Sequence, residues 1–182
     1  MPRKRTFQTF REAQKLGAYA ELPMLPDDSQ IQVRLSHNRG RQPFFSLFSK
    51  DTLIFLLSGA GEIEFRDVGV RSFALVPGDC IYVPAGTAHC LQHPQASVVL
   101  RYVPHPDCAE GVAWYCPRCP RELHRKTWDL ASTLPQHGYL AACAAFNEAA
   151  SHRQCPDCGE QHEPIDPSAW RWEEVARQAA QP

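Results

Sequence analysis

At 182 residues with a formal net charge of −1, the chain has no overall field to draw it to nucleic acid or to an anionic membrane. An apolar fraction of 43% is enough for one ordinary core, and no apolar run approaches the roughly 18 residues of a membrane span. The start, "MPRKRTF", is basic and lacks the hydrophobic stretch of a signal peptide, so the expected location is cytoplasmic.

Residues 5–18, "RTFQTFREAQKLGA", predict a short helix with Phe7, Phe10 and Leu16 on one face. Pro23 and Pro26 then break the chain. From Ile31 to Val103 the pattern changes to short strands between turn residues. "IQVRL" is followed by the apolar "LIFLLSG", the alternating "EIEF", a turn at Asp67-Val68-Gly69, "VRSFALV", "CIYVP" and "ASVVLRYV". Strands at this spacing, punctuated by Gly and Pro, predict a mainly β sandwich or barrel. The last third differs. Residues 114–160 carry two cysteine pairs with a helix expected around Leu140–Ala150, and Ala169–Ala180, in a segment rich in Trp, Glu and Arg, predicts another short helix.

Eight cysteines is a high number for a chain without a secretion signal. Four fall in two pairs, Cys116-Pro-Arg-Cys119 and Cys155-Pro-Asp-Cys158, while Cys80, Cys90, Cys108 and Cys143 are scattered. Two C-x-x-C pairs supply four thiolates, a tetrahedral set suited to zinc or to a rubredoxin-type iron. The two-residue spacer lets both sulfurs of a pair face one ion, and Gly159 suits the tight turn of such a knuckle. Residues 120–154 must fold back to join the pairs. A redox C-x-x-C centre is the rival, but it explains neither the second pair nor the proline after the first cysteine of each. Four protein ligands leave no open position, so this metal is expected to hold structure rather than catalyse.

"PGDCIYVPAGTAHC", residues 77–90, matches the second sequence motif of the cupin β-barrel and supplies one ligand-type residue, His89. The first cupin motif carries histidines and a glutamate ahead of a glycine. Here that glycine is Gly59; the register it sets puts Thr52 in the glutamate position, and "RQPFFSLFSKD" upstream holds no histidine. His37, His93 and Cys90 are the other candidates for a displaced ligand. Cys90 adjoins His89 on a strand and is expected to face the other way.

From Ile31 to His162, the barrel together with "GVAWYCPRC" and "CPDCGEQH" resembles the 3-hydroxyanthranilate 3,4-dioxygenase family. The resemblance implies a cupin barrel with an N-terminal helical arm over residues 1–108 and a metal-binding extension over 109–182 packed on it. It implies one zinc or iron at Cys116, Cys119, Cys155 and Cys158. Family members open an aromatic ring at a ferrous ion held by two histidines and a glutamate. His89 matches one of those histidines, Ser46 or Phe45 stands at the other, and Thr52 replaces the glutamate. Arg41 matches, with one insertion, an arginine that grips the substrate carboxylate. His93 stands in place of a second such arginine, and Arg101 replaces a glutamate that contacts the substrate.

The expected protein is thus a repurposed relative of these dioxygenases, acting on a small aromatic or amino-acid-like carboxylate in a specialised biosynthetic pathway. No ordinary iron centre is expected in its barrel. His89 would be the acid–base residue, with Arg41, Arg101 and His93 binding substrate. A non-catalytic cupin that binds a ligand or partner is one alternative, and a true dioxygenase with displaced ligands is another. A homodimer is expected, without nucleic acid or membrane. Phe44, Phe45 and Phe48 discriminate: inside the barrel with Arg41, His89 and Arg101 they favour a small-molecule pocket, and outside it a partner surface.

Overall fold

The computed structural model describes residues 6–66 and 71–179. In chain order it holds α1 (Thr9–Ala13), β1 (Leu22–Pro23), β2 (Ile31–Arg41), β3 (Phe45–Phe48), β4 (Thr52–Ser58), β5 (Gly61–Phe65), β6 (Arg71–Leu75), β7 (Cys80–Val83), β8 (His89–Pro104), β9 (Ala109–Tyr115), β10 (Glu122–Asp129), α2 (Pro135–Glu148) and α3 (Trp172–Ala179). No helix among the described residues is long and apolar enough to cross a membrane.

The sheet is organised around β8. This strand pairs antiparallel with β2 along most of its length, with β5 and β3 near His89, and with β4 from Val98 to Tyr102. One strand bordered by four others curls the sheet upon itself, giving the mainly β cupin barrel that the sequence predicts. Alternation decides what points inward. On β4, Thr52, Ile54 and Leu56 are buried while Leu53 is exposed. On β8, Leu91 and Val99 join the interior cluster of Ile54, Leu56, Ile63, Leu75 and Val83. The same parity carries His89, His93 and Arg101 to the inner face.

Several elements differ from expectation. The first helix covers Thr9–Ala13 rather than residues 5–18, and Phe10 is 55% exposed instead of sharing a buried face with Leu16. Beyond the helix, Gly17 passes against the Trp170 carbonyl, where a Cβ would lie 2.5 Å from the oxygen. Tyr19 then plugs the barrel, its hydroxyl donating to Gly40 O at 2.5 Å. β3 was not foreseen as a strand: it is buried throughout, so it shows no alternation. β9 and β10 were not foreseen either. β9 pairs with β3 and β10 with β9, so the stretch beyond Cys108 continues the barrel's own sheet.

The helix expected around Leu140–Ala150 starts earlier, at Pro135, whose fixed φ suits the first helical turn, and ends at Glu148. The tail begins with a short 3₁₀ turn, Pro167–Trp170, and becomes helical only after Arg171 at φ +54°. The turn expected at Asp67-Val68-Gly69 lies outside the described residues.

Candidate functional site

The cysteine knuckle forms as its spacing requires. Cys116 follows the last residue of β9, and Cys155 follows a 3₁₀ turn over Ala150–His152. The four Sγ atoms all lie within 4.8 Å of one another, with Cys116–Cys158 and Cys119–Cys155 both at 3.5 Å. Each pair closes a tight loop: Cys116 N–H donates to Arg121 O, and Cys155 N–H to Glu160 O, both at 2.8 Å. Gly159 takes φ +75°, where a side chain would be strained. Burial works against charge on Cys116, but donation from the Arg118 and Cys119 amides outweighs it and lowers its pKa to about 7. Residues 120–154 return through β10 and α2, locked by Phe146 stacked 4.3 Å from Trp114. Four soft donors at this mutual distance fit a single tetrahedral ion. Among the described residues no other group of three or more His, Cys, Asp or Glu side chains is placed to hold one. Burial alone pushes the Cys143 thiol up to about 12, as befits a core residue.

The barrel centre is built from β8, β3, β4 and the segment before β1. His89 is fully buried. Its Nδ1 faces Thr87 O at 3.1 Å, so Nδ1 carries the proton and Nε2 is the acceptor. That acceptor meets Arg101 Nη1 at 2.7 Å. Burial, followed by the Arg101 charge, lowers the His89 pKa to about 3. Arg101 is itself buried and pairs through Nε with Glu21 at 3.3 Å. Beside them Arg34 Nη1 meets Glu110 at 2.8 Å, and Tyr139 Oη donates to the same carboxylate at 2.6 Å. Burial opposes the Arg34 charge, yet Glu110 more than compensates and raises its pKa. Phe48 lies over this network, its ring centroid 5.1 Å from the Arg101 guanidinium and 6.2 Å from His89.

The positions that the family resemblance implies for iron ligands hold other groups. Ser46, not Phe45, stands across from His89 in the register, and its hydroxyl accepts from Gln42 Nε2 at 2.7 Å. Thr52 occupies the inner face, with Oγ1 buried and unpartnered among the described residues. Two neutral hydroxyls and an imidazole whose lone pair faces a guanidinium do not fit ferrous iron, which needs several imidazole and carboxylate donors. The residues present do not fit that group.

The other predicted site residues are not brought to this centre. Arg41 lies on the barrel's outside, its Nη2 2.6 Å from Glu64. His93 shares the inner face but sits against Gly61 and Tyr19, with Nδ1 at 3.1 Å from Ala60 O. Cys90 faces away from His89, in a small cluster with Phe45 and Ala88. The three phenylalanines separate: Phe48 is inside, Phe45 packs outside on Tyr115, and Phe44 packs among Trp114, Tyr139 and Trp172. Sequence reasoning passed over Glu21, Arg34, Glu110 and Tyr139. No sequence signal marks Arg34, because the buried positions of its parity on β2, Gln32, Ser36 and Asn38, are polar as well.

No family model matches the chain. A 3-hydroxyanthranilate 3,4-dioxygenase of Ruegeria pomeroyi is 30% identical over 134 residues, covering 72% of this chain and 69% of that protein. One from Xanthomonas oryzae pv. oryzae is 26% identical over 111 residues, or 59% of this chain, and the chain spans 62% of that relative's length. Among solved structures, a cupin-2 domain protein from Shewanella frigidimarina aligns with a TM-score of 0.48 at 15% identity, over 56% of this chain and 95% of that one. A hydroquinone 1,2-dioxygenase from a Sphingomonas species, bound to 4-hydroxybenzoate, aligns with a TM-score of 0.47 at 13% identity, over 52% and 70%.

Proposed function

The chain belongs to the 3-hydroxyanthranilate 3,4-dioxygenase family, and from that premise we propose that it has left ring opening behind and binds a small carboxylate without a barrel metal. One observation carries this reading. The single nitrogen of His89 able to ligate iron accepts a hydrogen bond from Arg101 at 2.7 Å, inside a sealed core. A guanidinium is permanently charged, so a cation repels any metal approaching that nitrogen. The same contact argues against His89 as an acid–base residue. Neutral, with its Nδ1 proton held by the Thr87 carbonyl and its Nε2 lone pair by Arg101, it offers neither a free proton nor a free lone pair. The non-catalytic alternative is therefore favoured over a repurposed enzyme.

In this reading the metal at Cys116, Cys119, Cys155 and Cys158 is a zinc or iron that holds β9, β10 and the tail together. Elemental analysis and oxygen uptake test the proposal. The expected result is about one metal per chain, kept in His89→Ala and lost with the knuckle cysteines, and no oxygen uptake with 3-hydroxyanthranilate and added ferrous iron. A second metal that is iron, disappears in His89→Ala and supports ring cleavage would overturn it.

A further inference from the structure

Tyr19, Ala20 and Glu21 enter the barrel ahead of β1 and belong to no strand. Tyr19 joins the interior cluster with Ile54 and Leu91, and Glu21 reaches Arg101, so this short stretch occupies the same interior as His89. Its backbone is strained. Tyr19 has φ +54° and Glu21 φ +51°, two of the three non-glycine residues in the left-handed region among those described. That conformation costs free energy for any residue with a Cβ, and it persists only where the surroundings impose it.

Side chains from β2 and from the C-terminal extension impose it here. Asn38 Oδ1 accepts from Tyr19 N–H at 2.8 Å, and Trp172 Nε1 of α3 donates to Tyr19 O at 3.0 Å. Gln136 Nε2 of α2 donates to Ala20 O and, at 3.0 Å, to Glu21 O. One turn along α2, Tyr139 packs 5.3 Å from Trp172, so the two helices hold the stretch together. The hold is incomplete. Asn38 Nδ2, Gln136 Oε1 and Glu21 Oε2 are all buried without a hydrogen-bond partner among the described residues. Both carboxylate oxygens of Glu21 lie 3.3 Å from Arg101 Nε, a long and shared contact. Strain and unmet polar atoms raise the free energy of the closed arrangement and bring an open one within reach.

We propose that Tyr19–Glu21 is a displaceable plug, and that α2 and α3 are the clamp that keeps it seated. When the clamp loosens, the stretch swings out about Leu22, where pairing with β2 begins, and opens the barrel to solvent at Arg101 and His89. Local opening of this kind belongs to segments that no strand ladder holds. The proposal goes beyond the binding reading and depends on neither a barrel metal nor a particular ligand.

Ser46→Cys puts a thiol opposite His89, and its alkylation by iodoacetamide in the full chain, read by peptide mass spectrometry, reports the opening. That thiol should react at least about tenfold faster than the global unfolding equilibrium, measured in urea, allows. Adding Gln136→Leu or Trp172→Phe should speed it at least about tenfold further, while the buried Cys108 keeps its original rate. General destabilisation would speed both thiols together. Hydrogen exchange gives a second measurement without substitution: the Tyr19 amide should exchange at least about tenfold faster than the β8 amides around Val99. A Ser46→Cys thiol that reacts only as fast as global unfolding permits would overturn the proposal. So would a rate that both clamp variants leave unmoved, or an equal rise at Cys108, or a Tyr19 amide as protected as those of β8.

Discussion

Arg101 donates through Nη1 to His89 Nε2 at 2.7 Å, and Glu21 closes the other side of the same guanidinium at 3.3 Å. The three form one buried unit, and breaking it should be costly. Arg101→Met leaves the Glu21 carboxylate buried without its partner, and urea unfolding should show a loss of about 3–5 kcal/mol. Adding Glu21→Gln to that variant removes the stranded charge and should recover most of the loss. A double variant as unstable as the single one would show that packing, rather than charge pairing, is what Arg101 contributes.

Ser46 and Thr52 stand where the family resemblance implies iron ligands, and in this reading side-chain identity should decide metal binding. Ser46 lies opposite His89, and Thr52 is on the inner face of β4. Combining Ser46→His, Thr52→Glu and Arg101→Met restores two imidazoles and a carboxylate and withdraws the cation. Elemental analysis should then find one further equivalent of divalent metal per chain. No gain would mean that the barrel has also lost the geometry.

His89 should make the fold sensitive to acid. Its pKa falls from 6.5 to about 3 on folding, through burial and then Arg101, so between those values the unfolded chain binds a proton that the folded one refuses. Stability must therefore fall as pH drops below about 6.5, by at most about 1.4 kcal/mol per pH unit from this group. His93, lowered by its own burial, acts in the same direction. His89→Gln keeps an acceptor for Arg101 without titrating, and its stability between pH 6.5 and 4 should decline less steeply. Parallel curves for the two proteins would refute the assignment.

The knuckle should fail locally. Cys158→Ser leaves three thiolates, and metal content should drop with it. Limited proteolysis should then cut in residues 117–121 and 156–162. β9 should resist, because its hydrogen bonds to β3 and β10 do not pass through the metal. A variant that keeps both its metal and its protease resistance would contradict a stabilising role.

Much of the barrel was legible because its strands are wet on one face. On β5 the glutamates of "EIEF" alternate with the buried Ile63 and Phe65, a period of two visible in the residues themselves. β3 was hidden because both of its faces are covered, so "FSLF" carries no alternation. β9 and β10 were hidden for a different reason. They lie among cysteines and mixed polar residues, and β10 gains its place from pairing with β9 rather than from any apolar pattern of its own.

The two sites divide along the same line. The chain alone determined the cysteine knuckle, because a C-x-x-C spacer brings two sulfurs together through bonds only a few residues long. It equally showed that the stretch ahead of Gly59 puts Thr52 at the glutamate position and holds no histidine. Only the tertiary structure decided what His89 touches. Strand parity turns His89 and Arg101 to the same inner face, but the curl of β8 brings them within 2.7 Å, and Glu21 arrives from 80 positions away. Such a partnership depends on closing the sheet, and no local pattern encodes it.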